Sequence, residues 1–288
     1  MTAPLPADDG PVAIVCGGGS FPAAVAEALA RRGRGFILLA LRGWADPGVV
    51  ERYPHRWVGI GRFGEICRLA RRHGCRDVVF IGTVFRPAVS QLRPDLAGLR
   101  QLPRVIGLLR RSDDALLSGL GRIFEEHGFR LRGAHEVAPD ILIQRGVLGR
   151  HRPGPRDEAD IRRARELLQA TGPFDIGQAT VIADGRVLAV EAAEGTDLML
   201  ERLADLRNDG RVRTPIGTGV LVKAPKPNQD RRFDLPSIGP ATVSGASRAG
   251  LAGIAVVAGA TIVAEPAAVI AAADRAGLFV VGVDEATP

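Results

Sequence analysis

Short apolar runs alternate along the chain with segments whose apolar residues recur every three or four positions, a pattern that predicts strands interleaved with helices. Val12 to Cys16 is such a run. It ends in Gly17-Gly18-Gly19, and Pro22 to Arg32 then shows helical spacing through Val25, Ala28 and Leu29. Phe36 to Leu41 and Asp77 to Ile81 read as two more buried strands, with an amphipathic helix over Arg62 to His73 between them. Strands alternating with helices predict a parallel sheet of Rossmann kind. Two further helices are expected around Leu99 to Leu109 and Asp113 to His127, the second capped by Ser112.

After Phe129 the pattern changes. Phe129 to His135 and Ile141 to Ile143 read as short strands, and Gly149 to Arg156 as a Gly, Pro and Arg-rich connection before a helix over Glu158 to Gln169. Gln178 to Ala183 and Arg186 to Glu191 are strands joined by Asp184-Gly185, a strong hairpin signal. A helix over Thr196 to Arg207, capped by Thr196, precedes a strand at Gly219 to Ala224 and a polar loop from Pro225 to Gly239. Thr242 to Ala249, Leu251 to Val257, Ala260 to Val263, Pro266 to Ala276 and Leu278 to Val283 close the chain as helix, strand, strand, helix and strand. The expected class is α/β: a Rossmann-like N-terminal domain over 1–133 and a mixed α/β C-terminal domain over 134–288.

The length of 288 residues suits two domains, and 46% hydrophobic with 24% charged residues is ordinary globular composition. Only 13 aromatics argue against a base-stacking surface for nucleic acid, and no nucleic-acid motif is present. The formal charge of +6 is unevenly spread: up to Gly133 there are 20 basic and 12 acidic residues, and beyond it 18 and 20. A basic first domain favours a phosphate-bearing ligand or an anionic membrane face. Cys16, Cys67 and Cys75 form no C-x-x-C, which fits a reducing cytoplasm, and Cys67, His73 and Cys75 lack the fourth ligand of a zinc site. The first ten residues show no signal-peptide pattern. Gly250 to Ala273 is broken by Gly259, Glu265 and Pro266, so it does not read as a membrane span.

Gly17-Gly18-Gly19-Ser20-Phe21-Pro22 sits where a dinucleotide fingerprint would sit, and its backbone N–H groups and the helix behind it suit a phosphate. Pro22 replaces the third glycine of that fingerprint, and the second strand ends in Arg42 rather than an acid, which weakens a redox nucleotide. Arg86, after the third strand, is expected at the carboxyl edge of the sheet beside the glycine turn, and Asp113 with Asp114 at a helix start reads as dipole complement. The most informative stretch is Val220 to Pro236. It holds the only two lysines, Lys223 and Lys226, in a chain with 38 basic residues. An ammonium is a point charge, so a site that needs one on phosphate resists drift to arginine. Prolines around Lys226 stiffen the loop. Asp230 and Asp234 can share a divalent ion such as Mg²⁺, with a surface ion-pair set around Arg231 and Arg232 as the plain alternative. Glu191, Glu194 and Asp197 form a second acidic group beside a helix start at Gly195 and Thr196, and Gln178 lines the same cleft in this reading. His135 and His151 have no partner by spacing and are treated as ordinary residues.

The glycine turn Gly17 to Pro22, the run Asp175-Ile176-Gly177-Gln178-Ala179, the run Ala189 to Asp197, and Lys223 to Gly239 together resemble the LpxI family of UDP-2,3-diacylglucosamine pyrophosphatases, in the same order and over nearly the whole chain. The resemblance implies a C-terminal catalytic domain and Mg²⁺-dependent hydrolysis of UDP-2,3-diacylglucosamine to 2,3-diacylglucosamine 1-phosphate (lipid X) and UMP in lipid A biosynthesis, with water attacking the sugar-side phosphorus. It implies an essential aspartate within Gln229 to Pro236, with Asp230 favoured over Asp234. Thr83 departs from the family pattern, where a lysine is expected. The site expected on this reading has Asp230 and Asp234 as metal ligands or water positioners and Lys226 as a catalytic phosphate contact. Gly18, Gly19, Ser20, Arg86, Gln178, Glu194, Gly195, Thr196, Lys223 and Gln229 would bind substrate. The partners expected are a lipid-linked UDP-sugar and the cytoplasmic face of the inner membrane as a peripheral contact, with no nucleic acid; a homodimer is compatible with the reading. Two other classes remain open: a non-catalytic carrier of a nucleotide-linked lipid, and an NADPH-dependent reductase with Arg42 on the 2′-phosphate.

Overall fold

The computed structural model describes residues 10–84, 87–110, 113–174, 176–226, 230–233 and 235–285. The chain divides into two compact units, the first ending at Pro139 and taking in Asp230–Phe233, the second formed by the remainder from Asp140. Residues 134–139, beyond the composition change at Gly133, thus lie with the first unit.

In the first unit, β1 (Val12–Cys16), β2 (Phe36–Leu41), β3 (His55–Val58), β4 (Asp77–Ile81) and β5 (Arg130–Leu131) form an all-parallel sheet in the order β3-β2-β1-β4-β5. This is the Rossmann arrangement, with the order reversing between β1 and β4. All five residues of β1 are buried, as a central parallel strand covered on both faces requires. Helices α1 (Phe21–Arg31), α2 (Pro47–Val50), α3 (Phe63–Arg72), α4 (Leu96–Leu108), α5 (Asp113–Glu126) and α6 (Ala134–Val137) complete the unit. One face of the sheet buries Ala13, Val15, Ile37 and Leu39 against Ile66 and Ala70 of α3 and Phe124 of α5. Phe124 meets Phe63 and Phe80 edge to face, with centroids 4.9 and 5.2 Å apart. Asp95 ties two helices at once: its Oδ1 accepts from Gly98 N (2.8 Å) in α4 and Gly64 N (3.1 Å) in α3, and its Oδ2 from Glu65 N (2.7 Å).

In the second unit, β6 (Gly146–Leu148), α7 (Pro155–Thr171), β7 (Ala179–Ala183), β8 (Arg186–Val190), α8 (Gly195–Asn208), β9 (Val220–Lys223), β10 (Ser237–Ile238), α9 (Pro240–Arg248), β11 (Gly253–Val257), β12 (Ile262–Val263), α10 (Pro266–Ala276) and β13 (Phe279–Val283) follow in order. Six of the strands make a mixed sheet, β6-β13-β11-β9-β7-β8, and β10 pairs with β12 in parallel. Side chains alternate between the two faces, as the period of two demands. Leu221, Ile254, Val256 and Val280 pack with Leu200, Leu203, Val243 and Val269 from α8, α9 and α10. Val220, Val222, Ala255 and Phe279 pack with Ile161, Ala164 and Leu168 of α7. The chain is therefore α/β throughout, with a parallel sheet in one unit and a mixed one in the other.

Several local expectations change. Only Arg130–Leu131 is strand in the stretch Phe129 to His135, because Gly133 N donates to Glu136 Oε2 at 2.6 Å and opens α6. Ile141 ends a short 3₁₀ turn, Pro139–Ile141, rather than starting a strand. Edge strands β3 and β6 have no apolar run to announce them. Helix α8 starts at Gly195, and Thr196 is not its cap. Ser112 lies outside the described residues.

Candidate active site

In the first unit the glycine turn closes directly on the loop after β4. Gly18 N donates to Thr83 O and Thr83 N to Gly18 O, both at 2.9 Å, and Gly17 N donates to Ile81 O at 3.0 Å. Neither strand end can carry a Cβ here. One at Gly17 would collide with Thr83 O, and one at Gly82, whose φ is +93°, would lie 2.7 Å from Gly18 O. The first two glycines are thus used for backbone contact between loops at the switch point of the sheet. Gly19 differs: its φ is +87° and nothing stands within 4 Å of where its Cβ would be. Ser20 begins α1 with no side-chain capping bond, and the first turn of α1 carries no acid. Gly19, Ser20 and the α1 N-terminus therefore present N–H groups and a hydroxyl at the carboxyl edge of the sheet, where open α/β sheets bind anionic ligands. Arg86 lies outside the described residues.

Asp230–Phe233 packs on this same unit. Phe233 N donates to Asp230 O at 3.0 Å, closing a turn, and the Phe233 ring sits 5.9 Å from that of Phe80 and against Gly121, where a Cβ would come within 2.7 Å of it. Arg232 grips Asp230 in a fork: Nε donates to Oδ1 at 3.0 Å and Nη2 to Oδ2 at 2.8 Å, while Nη1 reaches Glu125 at 3.1 Å. The Arg232 hydrogen bonds hold the Asp230 carboxyl below the usual carboxylate range against the opposing effect of burial. Asp230 is therefore an ionised, positioned carboxylate.

His135, which spacing alone leaves without a partner, belongs to this cluster. The missing Cβ of Gly133 lets its ring and the Arg232 backbone come together. Its Nδ1 is buried with no hydrogen-bond partner, and burial pushes its pKa down, with Glu136, Arg231, Arg132 and Asp230 as the surrounding charges.

In the second unit a buried polar chain joins five segments. Lys223 Nζ, at the end of β9, donates to the Thr196 hydroxyl and to Ser237 O, each at 2.9 Å. Thr196 Oγ1 donates to Glu191 Oε1 at 2.9 Å, and Glu191 Oε2 accepts from Gln178 N at 2.9 Å. Lys223, Glu191 and Thr196 are all buried. Gly177 has no Cβ because one would lie 2.5 Å from the Glu191 side chain. The arrangement fixes the starts of α8, β7 and β10 relative to the end of β9. Gln178 Oε1 is buried and lacks a partner. Glu194 pairs with Arg202 at 2.9 Å, and Gly195 takes φ +78° at the head of α8. Lys226 lies half-buried three residues beyond β9; Gln229 and Asp234 lie outside the described residues.

The described residues contain no group of three His, Cys, Asp or Glu side chains able to hold a metal ion. Mg²⁺ needs no such cage, since it takes one or two carboxylates and completes its shell with water and phosphate oxygens. Asp230 fits that donor chemistry, and a cation there would exchange with Arg232 for its oxygens. The thiols do not: Cys16 is pushed up to about 12 and Cys67 and Cys75 to about 11 by burial.

The model of the LpxI N-terminal domain matches residues 11–141 and that of the LpxI C-terminal domain residues 144–281. The chain is 49% identical over 271 residues to the UDP-2,3-diacylglucosamine pyrophosphatase LpxI of Caulobacter vibrioides, an alignment covering 94% of this chain and 96% of that relative.

Proposed function

The chain belongs to the LpxI family, and we propose that it hydrolyses the pyrophosphate of UDP-2,3-diacylglucosamine, releasing 2,3-diacylglucosamine 1-phosphate and UMP, as a step of lipid A biosynthesis. The observation that carries this reading is the 49% identity to a UDP-2,3-diacylglucosamine pyrophosphatase across nearly the full length of both chains.

Pyrophosphate hydrolysis asks a protein mainly for positioning and charge neutralisation. Gly19, Ser20 and the α1 N-terminus supply fixed donors to phosphate oxygens. Lys226 supplies a point charge near the same loop sequence as Asp230 and Asp234, the carboxylates assigned to water positioning and to the metal. Mg²⁺, when bound, offsets the pyrophosphate charge. Lys223, Thr196 and Glu191 act one step back, holding the strand end from which the Lys226 loop departs. In the overall reaction water adds to the sugar-side phosphorus, the bridging P–O bond breaks, and UMP leaves with the bridging oxygen. The protein works at the cytoplasmic face of the inner membrane in this reading, where its diacyl substrate resides.

The test is release of UMP from UDP-2,3-diacylglucosamine dispersed in detergent, with Mg²⁺ and then with EDTA. Metal-dependent release, reduced at least about a hundredfold by Asp230→Asn, is expected. Tight substrate binding without release in excess Mg²⁺ would replace hydrolysis with a carrier function.

A further inference from the structure

Helix α4 turns two leucines at its start to solvent. Of its thirteen residues only Gly98 is buried; Ala97, Leu102, Val105, Ile106 and Leu108 are half-buried, while Leu96, Leu99 and Pro103 are exposed. Its outward positions recur with helical spacing, and they read Leu96, Leu99, Arg100, Pro103 and Arg104, with Arg110 just beyond the helix. Leu96 is 83% and Leu99 50% exposed, and Val89, in the turn leading to the helix, is 47% exposed. A solvated face normally mixes both charge signs. Between Pro87 and Arg110 the chain instead carries Arg93, Arg100, Arg104 and Arg110 against a single acid, Asp95, whose carboxylate accepts from three backbone N–H groups. Arg104 is held in a fork by Glu126 of α5, both bonds 2.6 Å, so the cations offered to solvent beside the leucines are Arg93, Arg100 and Arg110. The segment sits in the more basic half of the chain. Among the described residues no helix is long and apolar enough to cross a membrane.

We infer that α4 is an interfacial helix that lays Leu96 and Leu99 into the surface of an anionic bilayer while Arg93, Arg100 and Arg110 pair with lipid phosphates. Apolar anchors flanked by cations are the combination that holds a helix in the headgroup plane, because neither signal alone binds stably. Charge complementarity selects this occupant over a second copy of the chain, whose matching face would bring like charges together. The inference rests on the proposed substrate, whose two acyl chains place it in a membrane, and it names the face of the protein that meets that membrane.

The experiment is flotation of the full chain with vesicles of phosphatidylcholine alone and with phosphatidylglycerol added. Binding only to the anionic vesicles is expected, weakened at least about tenfold by Leu96→Glu with Leu99→Glu and again by raised salt. A Leu99→Trp variant should add a blue-shifted emission component on mixing with the anionic vesicles. UMP release from detergent-dispersed substrate should be unchanged in the Leu96→Glu, Leu99→Glu protein, which also reports that it is folded. Absence of vesicle binding by the wild-type chain, or equal binding by the double variant, would overturn the inference. So would a wild-type dimer that the double variant converts to a monomer with no vesicle binding by either, a result that would assign the face to a second copy. Vesicle binding lost in the variant, from a chain that releases no UMP in detergent, would sustain the membrane face and overturn the hydrolase reading instead.

Discussion

Lys223 Nζ lies 2.9 Å from the Thr196 hydroxyl, and both residues are buried. The hydroxyl accepts from the ammonium and donates its own hydrogen bond to Glu191, so a cation, a hydroxyl and a carboxylate satisfy one another inside the second unit. Removing one member leaves the others unpaired in a low dielectric, which costs far more than the pair contributes net. Lys223→Met is therefore expected to lower stability by about 2–5 kcal/mol, and Thr196→Val by about 1–3 kcal/mol. Lys223→Arg should also fail, because a planar fork cannot occupy the place of a single Nζ. Urea unfolding of the two singles and the double will show coupling of about 0.5–3 kcal/mol; strict additivity would mean that the contact carries no energy.

How much of this could be read in the sequence differs from place to place for identifiable reasons. The buried parallel strands and the Asp184-Gly185 hairpin announce themselves locally: the strands are continuous apolar runs, and the turn residues take φ +48° and +73°. Strands β3 and β6 are short edge elements, one of them beginning His55-Arg56, and owe their conformation to a neighbour rather than to their own pattern. The clustering of Lys223 and Lys226 is visible in the sequence. Their different settings are not, since Lys223 becomes buried only because β9 is a central strand. Likewise nothing local says that Asp230–Phe233 leaves its sequence neighbours to join the first unit. That placement depends on Phe80, Gly121 and Gly133, about a hundred residues or more upstream. The setting of His135 is hidden from the sequence for the same reason, its neighbour Arg232 being remote along the chain.

The three glycines after β1 should not respond alike to substitution. Gly17→Ala drives a methyl into the backbone of Thr83 and against Val84 Cγ2 at 2.6 Å, so the loop after β4 must move; a loss of about 1–3 kcal/mol is expected. Gly19→Ala meets no atom within 4 Å and pays only for φ +87°, about 1 kcal/mol. If phosphate is held at Gly19 and Ser20, Gly19→Ala should raise KM for the UDP-sugar more than its small stability loss explains. Thermal melts alongside steady-state kinetics separate the two effects, and a larger stability loss for Gly19→Ala than for Gly17→Ala would contradict the packing described.

Asp95 should give the fold a measurable acid limb. Burial pushes its carboxyl up, but hydrogen bonds from Gly98, Gly64 and Glu65 together with Arg62 outweigh it, so the pKa is lowered. A carboxyl lowered on folding contributes stability in full above its unfolded value of about 3.9, and that contribution is lost as the pH falls through the folded value. Because Asp95 caps two helices, Asp95→Ala should cost about 1–3 kcal/mol near pH 7. The gap between wild type and variant should narrow as the pH drops below about 4. Denaturant titrations at several pH values will test this; a gap that stays constant into strong acid would show that the carboxylate charge is irrelevant to the caps.

The opposite end of the β4 strand offers a control that separates folding from function. Asp77 opens β4 with its carboxylate buried, accepting from Arg34 Nη2 at 2.6 Å and Arg130 Nε at 2.9 Å, while Arg34 Nε also holds Gly10 O at 2.9 Å. This ion set pins β4, β5 and the lead-in to β1 at the amino edge of the parallel sheet, whereas the glycine turn lies at its carboxyl edge. Asp77→Asn leaves two guanidinium groups around a neutral amide, one of them only 16% exposed, and should cost about 3–5 kcal/mol. Arg130→Met should cost less, because Arg130 is 47% exposed and solvent screens its share. Ligand chemistry in such sheets belongs to the carboxyl edge, so both variants should retain wild-type kcat/KM for UMP release at temperatures where they remain folded. A selective fall in kcat/KM in folded Asp77→Asn protein would show that the amino edge of the sheet communicates with the site, and that the division of labour between its two edges is wrong.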